Sequence, residues 1–98
     1  MSTLVIEQDL TVRHVTVTSD ILSVELSDGR GVSVLLGWFP RLLHATPEER
    51  ERWELIGRGS GIHWPDLDED ISLQGLVAGR SSAESQQSFG RWLKAREK

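Results

Sequence analysis

The run Ile21-Leu22-Ser23-Val24-Glu25-Leu26-Ser27-Asp28-Gly29-Arg30-Gly31-Val32-Ser33-Val34-Leu35-Leu36 decides the fold class. Leu22, Val24 and Leu26 alternate with Ser23, Glu25 and Ser27, and Val32, Val34 and Leu36 resume the alternation after Asp28-Gly29. Period two is the signature of strands with one buried face. Asp28-Gly29 between them reads as a two-residue type I′ hairpin turn, which needs positive φ at both central positions. Upstream, Arg13, Val15 and Val17 alternate with His14, Thr16 and Thr18, so Val12 to Leu36 reads as a three-stranded antiparallel meander. Leu4-Val5-Ile6 could add a fourth, edge strand.

A sheet with one apolar face needs a cover. The pattern changes at Thr46-Pro47-Glu48-Glu49: Thr46 caps, Pro47 suits the first helical position, Glu49 closes a capping box and Glu48 favours the positive end of the dipole. The spacing predicts a helix through Trp53 to about Ile56, with an Arg50–Glu54 pair and Gly57 as C-cap, and one or two further turns over Phe39 to Ala45. Gly57-Arg58-Gly59-Ser60-Gly61 reads as a loop. Ile71 to Leu73 reads as a short strand or turn, followed by a helix near Leu76 that ends at Gly79. Ser81 and Glu84 have capping-box spacing ahead of Phe89, Trp92, Leu93 and Arg96, whose i, i+3, i+4, i+7 order suits an amphipathic terminal helix that Gly90 weakens. The expected class is α+β, a small antiparallel meander packed on short helices. Residues 1–80 form the domain and 81–98 a helical tail.

Composition narrows function. The 98 residues are 38% apolar and 27% charged, which gives one modest core and no deep interlobe cleft. There is no cysteine, hence no disulfide, thiolate nucleophile or cysteine-bound metal, which suits the cytoplasm. Apolar runs of about five residues fall far short of a bilayer span, and the residues after Met1 lack a basic leader pattern. The net charge of −4 makes direct nucleic-acid binding unfavourable. Charge is uneven, with seven acids and three bases up to Glu49 against eight of each from Arg50 onward. Both lysines, Lys94 and Lys98, lie near the C-terminus.

The candidate chemistry gathers at His63-Trp64-Pro65-Asp66-Leu67-Asp68-Glu69-Asp70. Asp66, Asp68 and Asp70 open like a calcium loop, but its glycine position holds Ile71 and its final glutamate position Val77. His63 beside these carboxylates could ligate a divalent metal or have its pKa raised for proton transfer. The scaffold reading is a solvated acidic turn in which Trp64 is buried and Asp66 or Asp68 accepts hydrogen bonds from His63 or the glycine loop. The glycine loop follows a helix rather than opening one, so it is no dinucleotide fingerprint, and Ser60 lacks a nucleophile-elbow frame. No cofactor motif is present. Four tryptophans accompany no tyrosine. Trp38, Trp53 and Trp64 suit the ends of a small sheet, whereas Trp92, with Phe89 and Leu93, either folds back or anchors another chain.

The strings Leu26-Ser27-Asp28-Gly29-Arg30, Trp38-Phe39-Pro40-Arg41-Leu42-Leu43-His44-Ala45-Thr46 and Gly61-Ile62-His63-Trp64-Pro65-Asp66-Leu67-Asp68-Glu69-Asp70-Ile71 resemble the bacterial domain-of-unknown-function family 2442 (DUF2442). The similarity runs from about Val12 to Gly79, and the tail from Glu84 to Leu93 resembles one branch. It implies a compact α+β domain, found alone or ahead of a helix-turn-helix domain for which this chain leaves no room. It implies no established activity. Some members are encoded beside another small protein, in an arrangement that resembles a toxin–antitoxin pair.

Two functional expectations follow. The favoured one is a non-catalytic interaction or regulatory module, antitoxin-like in type, that binds a protein partner or a second copy through Phe89, Trp92, Leu93 and Arg96. The alternative is a small metal-dependent enzyme or metal sensor that uses His63, Asp66, Asp68, Glu69 and Asp70.

Overall fold

The computed structural model describes residues 10–82 and 84–96, which form two three-stranded antiparallel sheets and a few short helices. The α+β class is as the alternation requires. Strands β1 (Val12–Val17), β2 (Ile21–Leu26) and β3 (Gly31–Leu35) make the first sheet in the order β1-β2-β3. Leu22, Val24 and Leu26 point inward and are at most 1% exposed. A bulge between Val12 and His14 resets the parity of β1, so the residues that reach the core are Val12 and Val15, three apart. Leu4 to Ile6 lie outside the described residues.

The Asp28-Gly29 turn differs in type from the sequence expectation. Leu26 N–H bonds to the Arg30 carbonyl at 2.8 Å and Gly29 N–H to the Leu26 carbonyl at 3.0 Å, which makes a three-residue loop. Positive φ is confined to Gly29 at 91°, because Asp28 instead turns its carboxylate onto the Arg30 amide at 3.0 Å. A type I turn closed by one left-handed glycine satisfies these bonds.

After a single 3-10 turn over Leu36–Trp38 come α1 (Pro40–Leu43) and α2 (Pro47–Glu51). The capping box forms as read: Glu49 N–H donates to Thr46 Oγ1 at 3.1 Å and Thr46 N–H to Glu49 Oε1 at 2.9 Å. The helix then stops at Glu51, well short of Ile56. Glu54–Ile56 is strand β4, paired antiparallel with β5 (Gly61–Trp64), which pairs in turn with β6 (Glu69–Ser72). The Arg50 and Glu54 spacing that mimics a helical pair is overridden by these ladder bonds, and Gly57 opens the β4–β5 hairpin instead of ending a helix. β6 is followed by α3 (Leu73–Val77), capped by Ser72 Oγ on the Gly75 amide at 2.9 Å.

The last element, α4 (Gln86–Arg96), begins later than the Ser81 expectation, with Ser85 Oγ accepting the Ser88 amide at 3.1 Å. Glu84 does not close a box with Ser81, because Arg41 takes its carboxylate. Both sheets contribute to one core with Phe39, Leu42, Leu73 and Leu76, so the second sheet does much of the covering that sequence periodicity assigns to helices. Among the described residues, no helix is long and apolar enough to cross a membrane.

Candidate functional site

The acidic motif is the β5–β6 hairpin and its turn. Register pairs Trp64 with Glu69, His63 with Asp70 and Ile62 with Ile71, so alternate residues share a face. Ile62, Trp64, Glu69 and Ile71 face the core, while His63 and Asp70 face outward together with Glu54, which β4 places opposite His63. Trp64 is fully buried, and its indole N–H donates to the Arg50 carbonyl at 3.1 Å, which ties the hairpin to α2.

The carboxylates are thereby dispersed. Asp70 Oδ1 bonds His63 Nδ1, and this pair holds the imidazole pKa above its ordinary value. Asp66 binds Arg52 at 2.7 Å, not His63 as the sequence spacing suggests. Asp68 occupies the left-handed region at φ 52° in the turn that reverses the chain. Glu69 points inward with 9% exposure, and burial pushes its carboxyl up to about 7, opposed by the Arg41 charge. Among the described residues, no group of three or more histidine and carboxylate side chains is arranged to hold a metal ion. The calcium-loop spacing fails because Asp66 and Asp68 lie in a turn while Asp70 stands on a strand.

The glycine loop is equally committed. The amides of Gly59 and Ser60 both bond the Ile56 carbonyl at 3.1 Å, and the Gly59 carbonyl accepts from Val12 N–H at 2.8 Å. Its amides close the hairpin rather than forming a cradle for phosphate.

Sequence reasoning passes over the residue that organises this region, Arg41 on α1. Its Nη1 donates to the carbonyls of Leu67 at 2.9 Å and Asp68 at 3.2 Å, and its Nε meets Glu84 at 2.9 Å. One guanidinium therefore fixes the β5–β6 turn and the start of α4, a fork geometry that arginine alone offers. A lone cation in the apolar run Phe39 to Leu43 is the signal that could have found it.

α4 folds back against this region. Phe89 lies edge-on to His44 at 5.2 Å and stacks on Trp92 at 5.7 Å. Arg41 and Arg96 lie over the Trp92 ring at 5.3 and 4.6 Å, and Arg96 pairs with Glu49 through bonds of 2.9 and 2.7 Å. Trp92 packs on the core, yet no residue of α4 is buried: Phe89, Trp92, Leu93 and Arg96 are all half-buried.

The family model described as "Protein of unknown function (DUF2442)" matches residues 12–82. Two solved structures share the fold. One is the crystal structure of a protein of unknown function from Rhodospirillum rubrum, 26% identical, with a TM-score of 0.66 over 80% of this chain and 96% of that one. The other is the solution structure of an uncharacterized protein from Chromobacterium violaceum, 26% identical, with a TM-score of 0.67 over 90% of this chain and 81% of that one. No curated protein matches the chain.

Proposed function

Since the chain belongs to the DUF2442 family, whose description assigns no activity, we propose from its geometry that it is a small non-catalytic protein-interaction module with a regulatory role. The observation that carries this reading is the half-covered apolar stripe of α4, where Phe89, Trp92 and Leu93 lie along the body with no residue of the helix buried. Aromatic rings held rigidly and left partly open are the usual anchors of binding surfaces. In this reading Phe89, Trp92, Leu93 and Arg96 contact a protein partner, with segment 81–98 as the arm and 1–80 as the platform, in the bacterial cytoplasm. Commitment of the acidic motif to scaffold contacts favours binding over turnover. The narrower antitoxin-like form draws its support from the family resemblance.

The test compares wild-type and Leu93→Lys baits in extract of the native host. A specific partner should be retained by the wild type and lost by the variant, with unchanged melting temperature. Equal retention by both would overturn the assignment of the surface. A melting-temperature rise with Mg²⁺, Mn²⁺, Ca²⁺ or Zn²⁺ that His63→Ala abolishes would favour a metal-dependent role instead, because an ion that binds only the native state must stabilise it.

A further inference from the structure

Strand β3 forms one edge of the first sheet, with β2 as its paired strand among the described elements. Its inner ladder is fixed by the bonds from Leu36 N–H to the Asp20 carbonyl and from Leu26 N–H to the Arg30 carbonyl, both 2.8 Å. In an antiparallel ladder alternate residues direct both backbone groups to the same side. With Arg30 and Leu36 bonded inward, Val32 and Val34 also bond inward, and the N–H and C=O of Gly31, Ser33 and Leu35 point out from the edge.

This edge lacks the usual protection. Gly31–Leu35 contains no charge, proline or bulge, the devices that normally prevent strand addition. The other edges differ: β1 is bulged and its Val12 amide is taken by Gly59, β4 is three residues long and begins with Glu54, and β6 carries the charges of Glu69 and Asp70. On β3, Leu35 is 60% exposed, and the core-facing Val32 and Val34 are only half-buried.

We propose that β3 is the pairing edge of a two-fold dimer, with Gly31–Leu35 of two copies antiparallel and Ser33 on the axis. The strand is complementary to itself in this register. Each Ser33 N–H meets the Ser33 carbonyl of the second copy, while Gly31 and Leu35 exchange bonds with the second copy's Leu35 and Gly31. Val32 then stands opposite the second copy's Val34 in a non-hydrogen-bonded pair, where side chains approach most closely, which covers the half-buried valines. The exposed Leu35 lies over the second copy's Gly31, where no side chain obstructs it. A second copy is favoured over an unrelated strand because hydrogen bonds, apolar pairs and the Leu–Gly fit all close in one symmetric register. This inference is independent of the α4 surface.

The test is sedimentation equilibrium of the full chain with amide exchange. The wild type should sediment at twice 11.0 kDa, and the amides of Gly31, Ser33 and Leu35 should be protected in the dimer and lose protection on dilution. Ser33→Lys and Ser33→Glu place like charges opposite each other on the axis, so each should be monomeric. Their equimolar mixture should restore the dimer, which a folding defect would not allow. A wild type that is monomeric up to millimolar chain, or a dimer untouched by either charge, would overturn the proposal. So would protection of these amides in the monomer, which would assign the edge to another segment of the same chain.

Discussion

Glu69 sits where the strand register demands an inward residue, opposite Trp64, and its carboxyl is carried to about 7 by loss of water. The folded pKa lies above the ordinary 4.5, so the neutral acid is the form the fold prefers. The stabilisation is therefore complete below pH 4.5 and is lost as pH rises through about 7. A shift of this size corresponds to at most about 3 kcal/mol. Glu69→Gln, which keeps the shape without the charge, should gain about 1 to 3 kcal/mol over the wild type at pH 8 and nothing at pH 4. Urea midpoints across that range test this, and a loss at pH 8 that is absent at pH 4 would show that the carboxylate is needed in its charged form. On the opposite face, His63 has its pKa raised by Asp70, so its contribution is present below its ordinary pKa and fades as pH rises through the folded value. Asp70→Asn should return the imidazole titration toward the ordinary value in NMR spectra, and an unmoved titration would remove Asp70 as the cause.

At the scale of elements, α4 is the weak one. It spans Gln86–Arg96 with Gly90 inside it, and an isolated helix of about this length is marginal in water. Docking must hold it, through Arg41 with Glu84, Arg96 with Glu49 and the rings beside them. Arg96 and the Thr46 amide bring Glu49 down from 4.5 to about 2. For a depressed pKa the stabilisation is present above 4.5 and lost as pH falls through about 2; solvent around the pair limits it to about 1 to 2 kcal/mol. Between pH 5 and pH 2 the amides from Phe89 to Lys94 should lose exchange protection before those of Leu22 and Val24, and Arg96→Ala should produce the same loss at pH 7. Simultaneous loss at every pH would mean that α4 is an integral part of the core. These elements were legible in unequal measure. The Thr46 box and the β2–β3 hairpin are local, so residue types three or four apart suffice. β4 has only three residues, too few to display alternation, and it becomes a strand through pairing with β5. The clamp on Glu84 joins residues 43 apart in sequence, a separation at which no periodicity speaks.

For the whole molecule the decisive feature is that two small sheets share one core and neither has a second apolar layer of its own. Gly59 is where their backbones meet. It takes φ +101°, and a Cβ there would lie 2.9 Å from both the Thr11 Cβ and the Val12 carbonyl oxygen, closer than the β1 backbone permits. Gly29 has a similar φ of +91° with nothing within 4 Å of the same added atom, so it isolates the cost of conformation alone. Gly29→Ala should cost about 1 to 2 kcal/mol, the penalty for a side chain in left-handed backbone. Gly59→Ala should cost about 2 to 4 kcal/mol, since displacement of β1 adds to that penalty. Because both sheets build the same core, the loss should spread beyond the mutated hairpin. Exchange protection at Leu22 and Val24 in β2 should fall with that at Ile62 and Ile71 in β5 and β6, within one cooperative transition. If Gly59→Ala instead released β4 to β6 while β2 kept its protection, the two sheets would be separate folding units. The Val12–Gly59 bond would then be a contact between them rather than the seam of a single core.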